Sequence, residues 1–213
     1  MRLVTATPNA LYCDTDQVLT PVACALLKSS GIRGVWRYLS GLSPTERDAI
    51  LTSGLELYFV NYAHAAGWTP SAAGGLADAE RDLARLEALA IPVGVHCVFD
   101  LEGPGGTESE VVAHVSTHGH TMWGAKYLPA LYVGEGSMLT SATLYALPSM
   151  LYWHSCSQLR DGPSGLEPLC GYAVQQGRPF EVVLDDGAGT KVTIDYDYVD
   201  EDFKGRLPIG VAA

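Results

Sequence analysis

The sequence predicts one α/β domain over residues 1–213: a closed, TIM-like barrel of eight strands with about five helices, the last strands joined by loops. Three observations carry this. The 213 residues share one composition, 47% hydrophobic and 17% charged, which suffices for one core and is too apolar for a disordered chain. Short strand-like runs alternate with helical ones along the chain. The helical patterns stop within the first two thirds, where an open doubly wound sheet would need more of them and a closed barrel does not.

The elements follow in order. Leu11 to Asp14 is the first strand. Thr20-Pro21 supplies an N-cap and a proline at the first helical position, and the helix Val22 to Ser29 stops at Gly31. Gly34 to Leu39 is the second strand. Ser43-Pro-Thr-Glu46 has the pattern of a capping box, and its helix ends at Gly54. Leu55 to Tyr62 is the third strand. Leu76, Ala79, Leu83, Leu86 and Ala90 mark one apolar helical face, with Arg81, Asp82 and Arg85 off it. Val93 to Glu102, almost wholly apolar until its end, fits a strand covered on both faces. Thr107-Glu-Ser-Glu110 opens a helix that runs toward His118, where Gly119 should break it. Ala130 to Gly134 is the fifth strand, followed by a helix from Ser137 to Leu147. Met150 to Ser155, Tyr172 to Gln176 and Val192 to Val199 complete the eight, and Phe180 to Leu184 with the turn 185–189 adds a hairpin before the last.

Composition excludes several functions. Thirteen Lys and Arg stand against 24 Asp and Glu, a net charge of -11, which repels nucleic acid and anionic membranes. No apolar run is long enough to span a bilayer, and Met1 to Thr5 lacks the features of a signal peptide. The expectation is cytoplasmic synthesis, with release as a phage lysin or carriage in a phage particle. Five cysteines without a CxxC pair argue against zinc ribbons and a disulfide scaffold; Cys97 should be a buried thiol, and Cys156 and Cys170 bracket a loop. No GxGxxG, GxxxxGK[ST] or GxSxG occurs, so no nucleotide cofactor or acyl transfer is implied. His114, His118 and His120 lie close in sequence, and 114/118 have helical i, i+4 spacing, but Gly119 should break that helix, so no metal site is expected. His96 should be a satisfied core histidine, and His154 stands at a strand end.

In such a barrel the site lies at the C-terminal ends of the strands. The first strand ends at Asp14, the second at Arg37-Tyr38, the third at Asn61-Tyr62, the fourth at Asp100-Leu101-Glu102, and the seventh at Gln175-Gln176; the eighth carries Asp195 and Asp197. Period two puts Asp100 and Glu102 on one side of their strand, their Cα atoms about 6.5 Å apart. Crowded carboxyls cannot all ionise, so one should keep a proton, Glu102 being the candidate. Paired carboxylates of this kind perform acid/base chemistry on glycosidic bonds. Trp68, in a polar loop, could stack on a sugar ring.

These residues resemble a known family. Gly31 to Tyr62, with Trp36-Arg-Tyr38, Leu42-Ser-Pro-Thr-Glu46 and Ser53-Gly-Leu55, and then Ala79 to Glu102, are similar to the glycoside-hydrolase-like family related to the family 25 lysozymes. Asp100-Leu-Glu102 matches the lysozyme Asp-x-Glu motif, Asp14 their early aspartate, and Val174-Gln-Gln176 with Thr193-Ile-Asp195 their late Trp-Gln-Tyr and Val-Asp pair, though the first of these lacks its aromatics. The resemblance implies an eight-stranded barrel with five helices that cleaves peptidoglycan or a related β-linked amino sugar. Glu102 and Asp100 would be catalytic, and Asp14, Arg37, Tyr62, Trp68, Gln175 and Asp195 would contact the carbohydrate. The alternatives are a glycan-binding barrel without activity and an intracellular hydrolase of another glycosidic bond.

Overall fold

The computed structural model describes residues 1–61, 64–134, 136–149, 151–155, 171–179 and 181–213. The expectations for Tyr62, Met150, Cys156 and Cys170 fall outside these residues. Elements in chain order are β1 (Arg2–Thr5), β2 (Leu11–Thr15), α1 (Pro21–Ser29), β3 (Gly34–Tyr38), α2 (Pro44–Thr52), β4 (Glu56–Val60), α3 (Ala72–Ala88) and β5 (His96–Leu101). They continue with α4 (Glu108–Gly124), β6 (Leu128–Val133), α5 (Ser141–Ala146), β7 (Leu151–His154), β8 (Val174–Gln176), β9 (Val182–Asp185), β10 (Lys191–Val199) and β11 (Ile209–Ala212).

Seven strands, β2 through β8, run parallel around the barrel, each pairing with the next. β10 closes it by lying antiparallel between β8 and β2. The result is a closed eight-stranded mixed barrel with five helices. The eight predicted barrel strands are the eight observed. β9 forms the predicted hairpin with β10. β1 and β11 were not anticipated. They pair with each other and lean on β4 through Val211 opposite Leu57.

Period two sorts the side chains. Tyr12, Trp36, Tyr58, Val98, Tyr132 and Trp153 fill the barrel interior. Trp36 lies between Tyr58 and Trp153 at centroid distances of 4.6 and 4.9 Å. A side chain this large contributes roughly 4–6 kcal/mol by apolar burial, as an upper figure. The alternate residues Val35, Leu57, Phe59 and Cys97 pack outward against the helices. Cys97 is a buried free thiol, as expected, and so are Cys13 and Cys24. His96 is buried, accepts the Ile209 N–H on Nδ1 at 2.9 Å, and is pushed down to about 4 by burial, so it is a neutral core histidine.

Helix starts follow the caps, except that α5, expected from Ser137, starts at Ser141 behind the Thr140 cap, and two further readings are corrected. Thr20, Ser43 and Thr107 each cap a helix through the side-chain oxygen, and Thr107–Glu110 is a complete capping box. Ser43–Glu46 is not. The Glu46 carboxylate turns inward instead, accepting the Leu19 N–H at 2.9 Å and pairing with Arg37 at 2.8 Å. α4 does not end at Gly119. Gly119 lies where α4 crosses Pro148, and a Cβ there would meet Pro148 Cγ at 2.8 Å. Close packing, not a helix stop, explains that glycine.

Candidate active site

Asp14, Tyr38, Glu102, Trp153, Gln176 and Asp195 line a cavity of about 240 Å³ at the mouth where the parallel strands end. Tyr132 and Glu181 complete much of its wall. A second cavity of similar size adjoins it over Asp14, Asp16, Tyr38, Glu181 and Asp195. The predicted acids therefore converge, but by two routes. Asp14 and Glu102 come from parallel-strand ends. Asp195 comes from the middle of β10, because that strand runs the other way and sets Asp195 opposite Asp14.

One amide organises the first pair. The Gln176 side-chain N–H group donates to Asp14 at 3.0 Å and to Asp195 at 3.2 Å. Its carbonyl accepts the Tyr132 O–H at 3.0 Å. The Glu181 backbone N–H donates to the other Asp195 oxygen. Glu181 holds φ at 54°, a left-handed conformation costly for this residue type. Asp14 is pushed up to about 7 by burial, then by the Asp195 charge, against the lowering effect of Gln176.

The second group is Asp100 with Glu102. Asp100 is 2% exposed. Its Oδ2 accepts the Tyr38 O–H at 3.1 Å, and its backbone N–H donates to Asn61 at 2.8 Å. Its Oδ1 has no hydrogen-bond partner among the described residues. Burial, then the Glu102 charge, pushes it up to about 7. Burial first, and then the expected crowding of charges, raises Asp14, Asp100 and the buried Asp197. Tyr38 and Tyr132 are raised far above the phenol range, chiefly by burial, and remain protonated donors.

Glu102 itself is exposed, just beyond β5. Its side chain lies across Gly134 at the end of β6, and a Cβ on Gly134 would overlap Glu102 Cγ. The Trp68 indole N–H donates to the Glu102 carbonyl at 3.0 Å. Trp68 also stacks on His64 at 4.3 Å and 18°, which covers one of its faces. Trp68 thus buttresses the Glu102 loop from behind.

Two candidates lie on the other side of the barrel wall. Arg37 alternates with inward-facing Trp36 and Tyr38, so it faces the helices, 1% exposed, bound to Glu46 and the Thr15 carbonyl. Gln175 is exposed on the outside, and its neighbour Gln176 faces in. Strand ends alone do not fix this parity; the apolar Val174 two residues earlier does. Tyr38, Tyr132 and Gly134 could have been found by the same count. No sequence signal marks Glu181. His154 is outward too, edge-on to Tyr172 at 4.5 Å.

His114 and His118 have carboxylate partners from the neighbouring helix. Asp78 and Asp82, four apart on α3, receive His114 and His118, four apart on α4, each at 2.9 Å. That helical face is therefore polar at its centre. His64 joins Asp78 at 2.7 Å, so His64, Asp78 and His114 bring three ligand atoms within 4.8 Å of one another. Their chemistry does not suit a metal. His114 Nδ1 accepts the Ser71 N–H at 3.2 Å, so its proton sits on Nε2, the atom facing Asp78. The other Asp78 oxygen is held by Arg81. Burial alone would raise Asp78, but hydrogen bonds from His114 and His64 hold it well below the carboxylate range.

The family model described as Rv2525c-like, glycoside hydrolase-like domain matches residues 25–203. None of the curated proteins matches the sequence. The Tat-secreted protein Rv2525c of Mycobacterium tuberculosis, in complex with L-tartrate, is 13% identical at TM-score 0.68, over 93% of this chain and 98% of that one. The modular autolysin LytC of Streptococcus pneumoniae, in complex with a synthetic peptidoglycan ligand, is 12% identical at TM-score 0.55, over 89% of this chain and 46% of that one. A family 25 glycosyl hydrolase from Bacillus anthracis is 10% identical at TM-score 0.52, over 89% and 88%. At these identities the likeness is one of fold.

Proposed function

Since the chain belongs to the Rv2525c-like glycoside hydrolase-like family, we propose that it hydrolyses a β-linked amino-sugar glycan of the peptidoglycan type. The observation that carries this is the meeting of Asp14, Glu102 and Asp195 on one cavity, with Asp100 behind Glu102 and two of these carboxyls raised to about 7. A carboxyl that keeps its proton near neutrality, beside one that reaches the cavity, is what acid-catalysed glycoside cleavage needs. The autolysin relative with its peptidoglycan ligand supports the substrate class. All three relatives named above are bacterial, and they lend no support to a phage origin. No helix among the described residues is long and apolar enough to cross a membrane.

In this reading Glu102 protonates the leaving glycosidic oxygen. Asp100 shares the proton load with Glu102 and, once ionised, stabilises positive charge at the sugar carbon or orients an N-acetyl group. Tyr38 fixes the Asp100 carboxyl by its O–H. Asp14 and Asp195, bridged by Gln176, accept hydrogen bonds from sugar hydroxyls. Purified cell walls test it. Clearing of turbidity with new reducing ends, lost in Glu102→Gln, supports hydrolysis. Glycan binding without new reducing ends selects the non-catalytic barrel instead.

A further inference from the structure

Asp197 lies below this mouth and takes no part in the scheme above. It is fully buried, at 0% exposure, on the inward face of β10, opposite Tyr12 on β2 and Gln176 on β8. Neither of its oxygens has a hydrogen-bond partner of ordinary geometry among the described residues. An ionised carboxylate accepts hydrogen bonds and donates none, and burying one unpaired is very costly.

The groups around it do not repair this as an ion. Asp14 on β2 and Asp195 on β10 face it, and both are acids. The Gln176 amide is committed to Asp14 and Asp195, and its carbonyl to Tyr132. The Tyr12 hydroxyl is turned away to Glu56. The Cys13 thiol, on the outward side of β2, is raised well above its usual range, first by burial and then by the Asp197 charge. The Trp153 indole N–H is near, without a hydrogen bond of ordinary geometry. Arg37 is outside the barrel wall with Glu46. Among the described residues, Asp14, Asp195 and Asp197 do not bring three oxygens within 4.8 Å of one another.

One arrangement satisfies these contacts. We propose that Asp197 holds a proton at neutral pH and donates its O–H to the Asp14 carboxylate, so that the two form an acid–carboxylate pair at the floor of the mouth. Two carboxyls in contact are repulsive when both are ionised and form a strong hydrogen bond when one keeps its proton. The contact between Asp14 and Asp197 acts in this sense: it lowers Asp14 and raises Asp197, which burial has already lifted well above the carboxylate range. Asp14 then receives two donors, Asp197 O–H and Gln176 N–H, which fix its carboxylate toward the cavity. Asp197 is a positioning residue that acts through Asp14. Its importance for glycan recognition rests on the function proposed above; the shared proton does not.

The test is a titration of the full chain carrying ¹³C at its aspartate carboxyls, followed by NMR from about pH 4 to about pH 8. Wild-type assignments come from through-bond correlation. The Asp197 carboxyl carbon is expected to stay at its protonated position through neutrality, while Asp14 ionises before it. Asp197→Asn keeps a donor in place and should leave the Asp14 midpoint nearly unchanged. Asp197→Leu removes the donor at similar shape and should raise that midpoint by about one unit or more. Ionisation of Asp197 in the ordinary carboxylate range overturns the proposal, as do equal Asp14 shifts in both variants. An Asp197 signal that moves on adding magnesium or calcium ions also overturns it, in favour of a cation. If Asp197→Leu does not fold, the wild-type titration decides alone. None of these readings needs catalysis, so a protein without hydrolytic activity can still pass.

Discussion

Replacing Asp100 by asparagine should stabilise the protein, and the gain should grow with pH. Asp100 is raised from 3.8 to about 7 in the fold. A folded value above the unfolded one means that the fold binds the proton more tightly. The resulting stability is complete below the unfolded value of 3.8 and is lost as pH rises through about 7. Roughly three units at about 1.36 kcal/mol each set a ceiling of about 4 kcal/mol at pH 8. At 2% exposure, solvent screening takes little from this. Asparagine carries no charge, and its oxygen can still accept the Tyr38 O–H. Its amide, however, would stand at the Oδ1 position, which has no hydrogen-bond partner among the described residues, and an unsatisfied buried donor costs about 1–3 kcal/mol. The net expectation at pH 8 is a gain of about 1–3 kcal/mol, or roughly 2–12 °C in Tm for a chain of this size. At about pH 4 both side chains are neutral and the gain should vanish or change sign. Melting curves of both proteins at about pH 4, 6 and 8 check this. A gain that is flat in pH, or a loss at pH 8, would refute the account of Asp100 as a destabilised carboxylate.

Glu102→Gln should lower glycan cleavage at least about a hundredfold while leaving Tm unchanged or slightly higher, since it removes a charge beside Asp100; near-normal turnover with a lower Tm would make Glu102 structural. The wild-type rate should fall as pH passes about 7 and the proton load shared by Asp100 and Glu102 is lost, and a rate that stays flat to about pH 9 would contradict Glu102 as the general acid. Arg37→Ala should cost about 3–5 kcal/mol, because it strands Glu46 in the wall, and so lower Tm by at least about 6 °C. Unchanged melting with lost glycan affinity would instead return Arg37 to the ligand. Gly134→Ala should displace the Glu102 side chain and depress cleavage tenfold or more, at order of magnitude, with a Tm change of only a few degrees; cleavage at the wild-type rate would mean that Glu102 works from another rotamer.

The barrel was legible because its parallel strands are buried on both faces. Val93 to Phe99 reads as one apolar run for that reason, and the helices between strands announce themselves by Thr20-Pro21, Ser43-Pro44 and Thr107 to Glu110. β1 and β11 were not legible. Each is four residues long, β1 is mostly exposed, and neither carries a turn signal, so only their mutual pairing makes them strands. Gly119 misled because glycine has two uses in a helix: it can end one, or it can admit a neighbour. Nothing local distinguishes these until Pro148 is placed against it.

The site was legible where a residue's function depends on its own strand, and hidden where it depends on another. Asp100 and Glu102 share a face by spacing alone, so the pair could be read directly. Arg37 and Gln175 sit at strand ends, as a mouth residue should, yet parity turns both away. Trp36 and Val174, apolar and one residue distant, already carried that parity. The Gln176 bridge could not be read so, because Asp14 and Asp195 meet only through an antiparallel β10, whose direction depends on the β9 hairpin before it. The same reversal sets Asp197 beneath Asp14. In an all-parallel barrel Asp197, being later in the strand than Asp195, would lie nearer the mouth and the water. Strand direction therefore decides which of the two acids faces solvent and which is buried, and hence which one must keep its proton.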